Sequence, residues 1–332
     1  MLWIQFILVA ALIWYGGSQL ARYGDILAEK TGMGRTWIGL VLVASTTSLP
    51  ELFTGLSSVL QSLPDIAVGD VLGSCLFNLV ILSMMDARSK APLIAQAQPG
   101  HALAVGFGVL LVGLVGVGMI VDRHLPMTAW VGVITPLLIV IYLASVRVLF
   151  LFERRRLLVT PEVKAEMRYS EIPTRTAGLR YGGAAVIVVL AATQLPGLAS
   201  QIAERTGLGN AFIGNFLVAI TTSLPEVAVS LAALRLGAID LGIGNVLGSN
   251  LFNVLILALD DIAYPVGPLL GAVSSSNLVT ALSVILMYGL FLVGLTNRAS
   301  RKRLRLAWDT GSILAVYVAA MILMYLLRNR VL

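Results

Sequence analysis

The sequence predicts an all-α integral membrane protein of ten transmembrane helices, arranged as two five-helix repeats of opposite orientation. Three observations lead to this fold class. The chain of 332 residues is 58% hydrophobic and only 12% charged, which is about half the charged fraction of a soluble domain. Ten apolar segments are long enough to span a bilayer. Two polar motifs recur at one constant offset along the chain.

The ten apolar segments each approach the roughly 20 residues that a spanning helix needs. Because lipid offers a backbone no hydrogen-bond partners, apolar segments of this length form helices in a membrane. The predicted spans cover residues 2–22, 36–60, 66–86, 101–121, 127–150, 178–198, 211–235, 241–260, 276–296 and 308–328. A polar stretch follows the fifth span. The sequence thus divides into a first repeat over 1–150, a basic linker over 151–177 and a second repeat over 178–332.

Lysine and arginine are distributed unequally between the two ends of the predicted spans. Of the 23 basic residues, 19 lie in or beside the connections that follow odd-numbered spans. Cytoplasmic loops of membrane proteins are enriched in these residues. We therefore expect the linker to be cytoplasmic and both termini to lie outside. The short linker has no room for a regulatory domain, which favours a prokaryotic cell (inner) membrane. Topology also explains the net charge of +6, so nucleic acid is not expected as a partner.

Two motifs of the first half recur in the second half at an offset of 175 residues. Residues 46–51, TTSLPE, are identical to residues 221–226, and residues 69–78 match residues 244–253 at eight of ten positions. One constant offset indicates an internal duplication. Because five spans, an odd number, separate equivalent positions, the second copy must enter the membrane in the opposite sense. Inverted repeats are typical of secondary transporters, which bind their substrate at the midplane between the copies.

Each TTSLPE motif places one glutamate, Glu51 or Glu226, in the middle of a predicted span. A carboxylate at the bilayer centre costs roughly 2.5 kcal/mol or more on insertion scales and indicates a functional site by default. The alternative is a structural glutamate paired with a basic residue, but no Lys or Arg lies mid-span in this sequence. The two carboxylates are therefore expected to hold metal cations or protons.

The residues before each glutamate supply further oxygen atoms. The proline of each motif lacks an N–H, so the carbonyl four residues earlier loses its helical partner. Hydroxyl side chains lie beside the carboxylate. Hard cations such as Ca²⁺ take six to eight oxygen ligands, which a pair of such motifs can provide. The carbonyls belong to Thr46 and Thr221, and the hydroxyls nearest the glutamates to Thr47, Ser48, Thr222 and Ser223.

The second motif combines small residues with amides and hydroxyls. Gly69 and Gly73 lie four residues apart, a spacing that lets membrane helices pack closely. Ser74 and Asn78 share one helix face, as do the equivalent Ser249 and Asn253 of the second repeat. The amides either supply neutral oxygen ligands or form hydrogen bonds between helices.

Three aspartates near the second motif have different expected roles. Asp70 has Asn245 as its counterpart and is either a third acidic ligand or a polar residue near the span entrance. Asp65 and Asp240 lie at predicted helix starts. We expect them to cap these helices, because Asp is favoured there by the unpaired N–H groups and the helix dipole.

The paired motifs resemble the α-repeats of the sodium/calcium exchanger family, within the calcium/cation antiporter superfamily. The resemblance covers both motif regions and the two-half layout. It implies Ca²⁺ transport coupled to Na⁺, H⁺ or, in some branches, K⁺, with the cations bound between spans 2, 3, 7 and 8. The implied ligands are Thr47, Ser48, Glu51, Ser74, Asn78, Thr222, Ser223, Glu226, Ser249 and Asn253, with Thr46, Thr221 and Asp70 as possible additions.

The sequence departs from that family pattern at three places. Asn78 and Asn253 are both Asn where members often have one Asp, and Asp70 and Cys75 each stand where the pattern has Asn. Two firm negative charges remain, which suits one divalent ion or two monovalent ions.

Sodium/calcium exchange by alternating access is the leading functional prediction. A proton can also neutralise a buried carboxylate, so proton-coupled antiport of calcium or manganese is the alternative. A cation channel and a transport-inactive membrane scaffold are the alternatives from another class. The sequence lacks protease motifs such as His-Glu-x-x-His. An enzyme is therefore not predicted, and no cofactor is expected besides the transported Ca²⁺ and Na⁺ or H⁺.

Overall fold

The computed structural model is helical and describes residues 1–31, 44–124, 130–159, 172–303 and 305–327. Its helices in chain order are α1 Leu2–Thr31, α2 Ala44–Thr47, α3 Leu49–Leu60, α4 Pro64–Arg88, α5 Leu93–Gln96, α6 His101–His124, α7 Thr135–Val159, α8 Thr174–Ala192, α9 Leu195–Thr206, α10 Asn210–Ile213, α11 Ala219–Thr222, α12 Leu224–Arg235, α13 Ile239–Ala263, α14 Ser276–Asn297 and α15 Trp308–Leu327. A π-helical turn, Gly214–Val218, joins α10 to α11, and a 3₁₀ turn, Leu269–Gly271, precedes α14.

Eight spans in the described residues are long and apolar enough to cross a membrane, with α8 and α9 together forming one of them. The count becomes nine if the bent pair of α10–α11 with α12 is one span. Large apolar side chains such as Leu190, Leu282 and Leu326 are exposed on the outer surface of these helices. Such a surface suits lipid rather than water. The predicted class, an all-helical multi-span membrane protein, is confirmed.

Several predicted spans have different bounds in the structure, and two of them concern the linker and the first polar motif. The fifth, predicted over 127–150, is helix α7, Thr135–Val159, so residues 151–159 of the predicted linker are helical. The segment FERRRLLV is rich in Arg, Leu and Glu, which favour helix whether or not lipid surrounds them. The second span, predicted over 36–60, begins outside the described residues, and its remainder is the short helices α2 and α3.

Helices α4 and α13, which carry the second motif, form the centre of the protein. In their most apolar stretches all of α4 and 83% of α13 is buried, against 28–44% in the other spans. Gly73 shows why the packing is so close: a Cβ there would lie 2.5 Å from the carbonyl oxygen of Asn215 and 2.6 Å from its Cα. The predicted packing role of this glycine is confirmed, because any side chain would push the π-helical turn away.

Asp86 anchors the end of α4 to two other parts of the chain. Its carboxylate accepts hydrogen bonds from the N–H of Leu93 at 2.8 Å, the N–H of Ala307 at 2.7 Å and the hydroxyl of Thr310 at 2.6 Å. Lys302 forms an ion pair with it at 3.0 Å. The carboxylate is fully buried, and these donors replace the water that it loses.

Asp261, 175 residues later, makes an equivalent set of hydrogen bonds at the end of α13. It accepts from the N–H of Leu269 at 2.6 Å, the N–H of Gly132 at 2.8 Å and the hydroxyl of Thr135 at 2.6 Å. Gly132 and Thr135 stand 175 residues before the corresponding donors to Asp86. The two anchors therefore tie α4 to the start of α15 and α13 to the start of α7. Each central helix is thus held to the last long helix of the other half of the chain.

Asp65 and Asp240 lie in the first turns of α4 and α13, as predicted, but the prediction that they cap these helices was wrong. The N-cap positions of α4 and α13 are Leu63 and Ala238, and neither makes a side-chain cap hydrogen bond. The two carboxylates instead bind the segment before another long helix. Asp65 accepts from the N–H of Ser274 and the amide of Asn277, and Asp240 accepts from the N–H of Gln98 and contacts His101 Nε2. The two carboxylates therefore take their donors from another part of the chain and not from the first N–H groups of their own helices.

Candidate cation site

Both TTSLPE motifs break their helices at the serine. Helix α2 ends at Thr47 and α3 begins at Leu49, while α11 ends at Thr222 and α12 begins at Leu224. The proline in the first turn of each following helix cannot donate a hydrogen bond across the break. At the second break the axis bends by 45°. Each glutamate therefore lies in the first turn of a helix, where the helix dipole favours a negative charge.

The two motifs are joined by a reciprocal pair of hydrogen bonds. Ser48 Oγ donates to Glu226 Oε1 at 3.1 Å, and Ser223 Oγ donates to Glu51 Oε1 at 3.1 Å. All four side chains are fully buried. Each serine thus holds the carboxylate of the other half of the chain, and the two glutamates lie in one polar cluster.

Thr222 extends this cluster towards α4. Its hydroxyl donates to Asp70 Oδ1 at 2.8 Å and lies 3.3 Å from Ser74 Oγ. The same serine hydroxyl is 3.4 Å from the carbonyl oxygen of Ala219. Asp70 is therefore a fully buried neighbour of the cluster, and its predicted role as a third acidic ligand stays a prediction.

Thr47 makes the equivalent contacts on α13. Its hydroxyl lies 3.3 Å from Ser249 Oγ and 3.5 Å from Asn245 Oδ1, and Ser249 Oγ is 3.4 Å from the carbonyl of Ala44. Ser249 also donates to Glu226 Oε1 at 3.2 Å. Glu226 therefore accepts two side-chain hydrogen bonds on one oxygen. The proximity of Asn245, the counterpart of Asp70, was not predicted as part of the site, although its place in the motif could have indicated it.

Three carboxylates of the cluster keep one oxygen that receives no hydrogen bond from the described part of the chain. These buried oxygens are Glu51 Oε2, Glu226 Oε2 and Asp70 Oδ2. A buried ionised oxygen without a partner is costly, so a cation, a proton or water must satisfy it. No group of three His, Cys, Asp or Glu residues in the described chain is close enough to hold a metal ion by itself. Hydroxyl, amide and carbonyl oxygens must therefore complete any cation site.

The asparagines of the second motif, Asn78 and Asn253, lie about one helical turn after its serines on α4 and α13. Asn78 Nδ2 donates to Asn250 Oδ1 at 3.0 Å, and Asn250 donates in turn to the carbonyl of Cys75 and to Tyr288 Oη, both at 3.0 Å. Within the described residues Asn78 Oδ1 and the amide of Asn253 have no hydrogen-bond partner. Their oxygens are free to bind a ligand. Asn250, which sequence reasoning missed, is the residue that orients Asn78.

The side chains of the two remaining candidates point away from the cluster. Thr46 Oγ1 lies 3.3 Å from Tyr181 Oη on α8. Thr221 Oγ1 donates to the carbonyl of Leu217 within its own helical segment. A contribution from Thr46 or Thr221 would therefore come from the backbone carbonyl, as the sequence predicts.

Two broken membrane helices with buried, partly unpartnered carboxylates define a membrane protein that handles cations. A family model described as sodium/calcium exchanger protein matches residues 1–151 and 179–326. The chain is 30% identical to the putative antiporter CaxA of Alkalimonas amylolytica and 28% identical to the inner membrane protein YrbG of Escherichia coli K12. Each match covers 74% of both chains. The chain belongs to the sodium/calcium exchanger family.

The same fold occurs in the solved structure of the sodium-calcium exchanger NCX_Mj. That match covers 97% of this chain and 99% of NCX_Mj, with a TM-score of 0.64 and 22% sequence identity. The family resemblance inferred from the motifs is confirmed. The protein is a cation antiporter of the membrane and not an enzyme, so the channel and scaffold alternatives are not favoured.

Proposed function

We propose that this antiporter exchanges Ca²⁺ for Na⁺ by alternating access, at a site between two inverted halves of the chain. The observation that carries the proposal is the reciprocal hydrogen bonding of Ser48 with Glu226 and of Ser223 with Glu51. It brings two carboxylates into one buried cluster, and one oxygen of each receives no hydrogen bond from the described residues. By its name, the structural relative NCX_Mj exchanges the same two cations.

The proposed architecture is ten spans in two inverted five-helix repeats, 1–150 and 178–332, joined by a cytoplasmic linker over 151–177 with both termini outside. The apolar helix Leu49–Leu60 belongs to the second span in this arrangement. The equivalent anchors at Asp86 and Asp261 support a two-fold relation, because their partners from α7 and α15 stand at the same 175-residue offset. The family relative YrbG is an inner membrane protein by name, which supports that location.

The proposed ligand set combines two charges with neutral oxygens. Glu51 and Glu226 supply the charge that any bound cation must balance. Hydroxyl oxygens can coordinate a cation while still donating their hydrogen to a carboxylate, and hard cations accept such mixed oxygen shells. The full proposed set is Thr47, Ser48, Glu51, Ser74, Asn78, Thr222, Ser223, Glu226, Ser249 and Asn253, with the carbonyls of Thr46 and Thr221 and the carboxylate of Asp70 as additions.

Charge balance explains how the two fluxes would be coupled. An occluded site with both glutamates ionised and empty would leave two charges buried without a counter-ion, which is strongly unfavourable. One Ca²⁺ or two Na⁺ ions would neutralise the pair. Only a loaded protein would then pass through the occluded state, so movement of one cation would require return of the other.

The experiment is radioactive ⁴⁵Ca²⁺ uptake into proteoliposomes under an outward Na⁺ gradient, an outward proton gradient and no gradient. Uptake is expected with the Na⁺ gradient and is expected to fall to background in Glu51→Gln and Glu226→Gln. The matched control is Glu204→Gln, the same change at an exposed position on α9. Uptake driven by protons alone would make the protein a proton/divalent-cation antiporter. Wild-type exchange in either site variant would refute the assignment of these glutamates.

A further inference from the structure

Asp260, near the end of α13, is a buried carboxylate with no role in the fold or in the central cluster. It is fully buried, and within the described residues neither of its oxygens accepts a hydrogen bond. Its neighbour Asp261, by contrast, makes three. No basic side chain in the described part of the chain pairs with Asp260. A carboxylate in this condition inside a membrane protein is a functional site by default.

Asp260 lies one helical turn beyond the central glutamate. Its carboxylate packs on Gly55 of α3, where an added Cβ would lie 2.8 Å from Oδ1 and closer still to Oδ2. Gly55 follows Glu51 by four residues, which is about 6 Å along the helix axis. Glycine is therefore required at position 55 to make room for the carboxylate. Asp260 thus lies beside α3, between the level of Glu51 and the end of that helix.

Two further buried oxygens, one on the residue before Gly55 in the chain and one on Asp70, have no hydrogen-bond partner within the described residues. Thr54, the residue before Gly55, is fully buried, and its hydroxyl makes no hydrogen bond within the described residues. Asp70 keeps one free oxygen, and its charge acts on Asp260. The other charge acting on Asp260 is that of Asp261. The residues around Asp260 therefore carry negative charge and free oxygen atoms, and no basic side chain among the described residues pairs with Asp260.

The equivalent positions in the other half of the chain are neutral. Asp260 corresponds to Met85, Asp70 to Asn245 and Gly55 to Ser230. Ser230 accepts a hydrogen bond from Asn245 Nδ2 at 3.1 Å, and the Met85 side chain packs at Gly242. Asp260 and Gly55 are in contact, and Asp70 is one of the two charged groups that act on Asp260. Negative charge is thus concentrated on one side of the central cluster.

We propose that Asp260, the hydroxyl of Thr54 and the free oxygen of Asp70 form a second binding site for a hard cation, Na⁺ or Ca²⁺, on the outer side of the central glutamates. This proposal rests on the proposed function of the central cluster and on the proposed orientation of the chain in the membrane. It would receive cations that enter from the outside before they reach Glu51. Because its inner counterpart is neutral, cation affinity differs between the two faces of the membrane.

The test compares initial rates of ⁴⁵Ca²⁺ and ²²Na⁺ uptake in right-side-out and inside-out membrane vesicles over a range of cation concentrations. Asp260→Asn keeps the shape and removes the charge. The half-saturating concentration is expected to rise by roughly tenfold on the outer face, the scale on which ligand charge tunes such sites, and by less than about twofold on the inner face. The cation that shows the rise is the one the site binds. The matched control is Asp309→Asn, the same change at a buried position on α15.

Two further variants keep the test decisive. Asp260→Met introduces the residue of the equivalent position, and Gly55→Ala displaces the carboxylate without removing it; both are expected to give the same one-sided effect. Unchanged values on both faces, or an equal rise on both, would overturn the proposal and indicate a protonated or structural Asp260. Glu51→Gln separates the two hypotheses. If it abolishes exchange while Asp260→Asn behaves as wild type, only the second site fails.

Discussion

Replacing Ser223 with alanine is expected to weaken cation binding more than the same replacement at Ser48. The two serines occupy equivalent positions, and each donates to a glutamate at 3.1 Å. Their acceptors differ, however. Glu226 also accepts a hydrogen bond from Ser249 at 3.2 Å, whereas the hydrogen bond from Ser223 is the single side-chain donor that the described residues offer to Glu51. Ser223→Ala therefore leaves the Glu51 carboxylate without a side-chain donor among the described residues.

The expected magnitudes follow from the number of donors lost. A hydrogen bond to a charged group contributes about 1.5–3 kcal/mol, which corresponds to roughly ten- to hundredfold in affinity. Ser223→Ala is expected to raise the half-saturating Ca²⁺ concentration by this amount. Ser48→Ala leaves the Ser249 donor in place, and the rise is expected to be at most about tenfold, as for a partly compensated hydrogen bond. The double variant of Ser48 and Ser249 should raise it further, towards the value of Ser223→Ala, because Thr47 is then the one side-chain partner left to Glu226 within the described residues.

The assay is Na⁺-driven ⁴⁵Ca²⁺ uptake into proteoliposomes at a series of Ca²⁺ concentrations, with protein amounts matched by size-exclusion chromatography. Ser57→Ala is the control, because Ser57 donates to the carbonyl of Thr193 at 3.0 Å outside the cluster. Its half-saturating concentration should stay within about twofold of wild type, since changes away from the site are nearly neutral. A larger effect of Ser48→Ala than of Ser223→Ala would refute the reasoning, because it would mean that the observed donors do not determine affinity.

The remaining predictions concern the scaffold around the site and are measured by thermal unfolding in detergent. Asp86→Ala removes three hydrogen bonds and the ion pair with Lys302, and should lower the free energy of unfolding by about 3–5 kcal/mol. Asp261→Ala should cost somewhat less, since Asp261 makes three hydrogen bonds and no ion pair within the described residues. Losses no greater than that of the exposed control Glu204→Ala would contradict this. Gly73→Ala forces a methyl group to within 2.5 Å of a backbone oxygen and should cost at least about 1–3 kcal/mol, as overpacking does; an unchanged midpoint temperature would show that the helices can separate freely.

Much of the fold class and of the site was predictable because the motifs are duplicated. Apolar length indicates membrane helices for a reason that does not depend on tertiary structure, namely the lack of water in lipid. The TTSLPE repeats identified Glu51 and Glu226 because an unpaired carboxylate mid-span is conspicuous in any apolar segment. Helix bounds were less predictable. Val159 and Thr31 end helices that continue beyond the apolar segments, since helix propensity carries no information about the membrane edge.

Asn250 and Asp260 show what sequence reasoning could not find. Asn250 stands opposite Cys75 at the 175-residue offset, so the repeat comparison registered it only as a mismatch. Asp260 follows no repeated motif and lies beside the anchoring Asp261, where a polar residue near a span end is unremarkable. Their roles depend on which helices approach one another. That approach depends on glycines such as Gly55 and Gly73, whose neighbours are far away in the chain.

The sequence by itself determined the class of the protein, the duplication and the two glutamates, because hydropathy, repeat offset and buried charge are properties of the chain alone. Only the tertiary structure decided which hydroxyl reaches which carboxylate. The serine of one motif donates to the glutamate of the other, an arrangement that exists only when the two broken helices cross. It also decided that Asp260 has no hydrogen-bond partner among the described residues, because burial and the distance to other donors are set only when the helices pack.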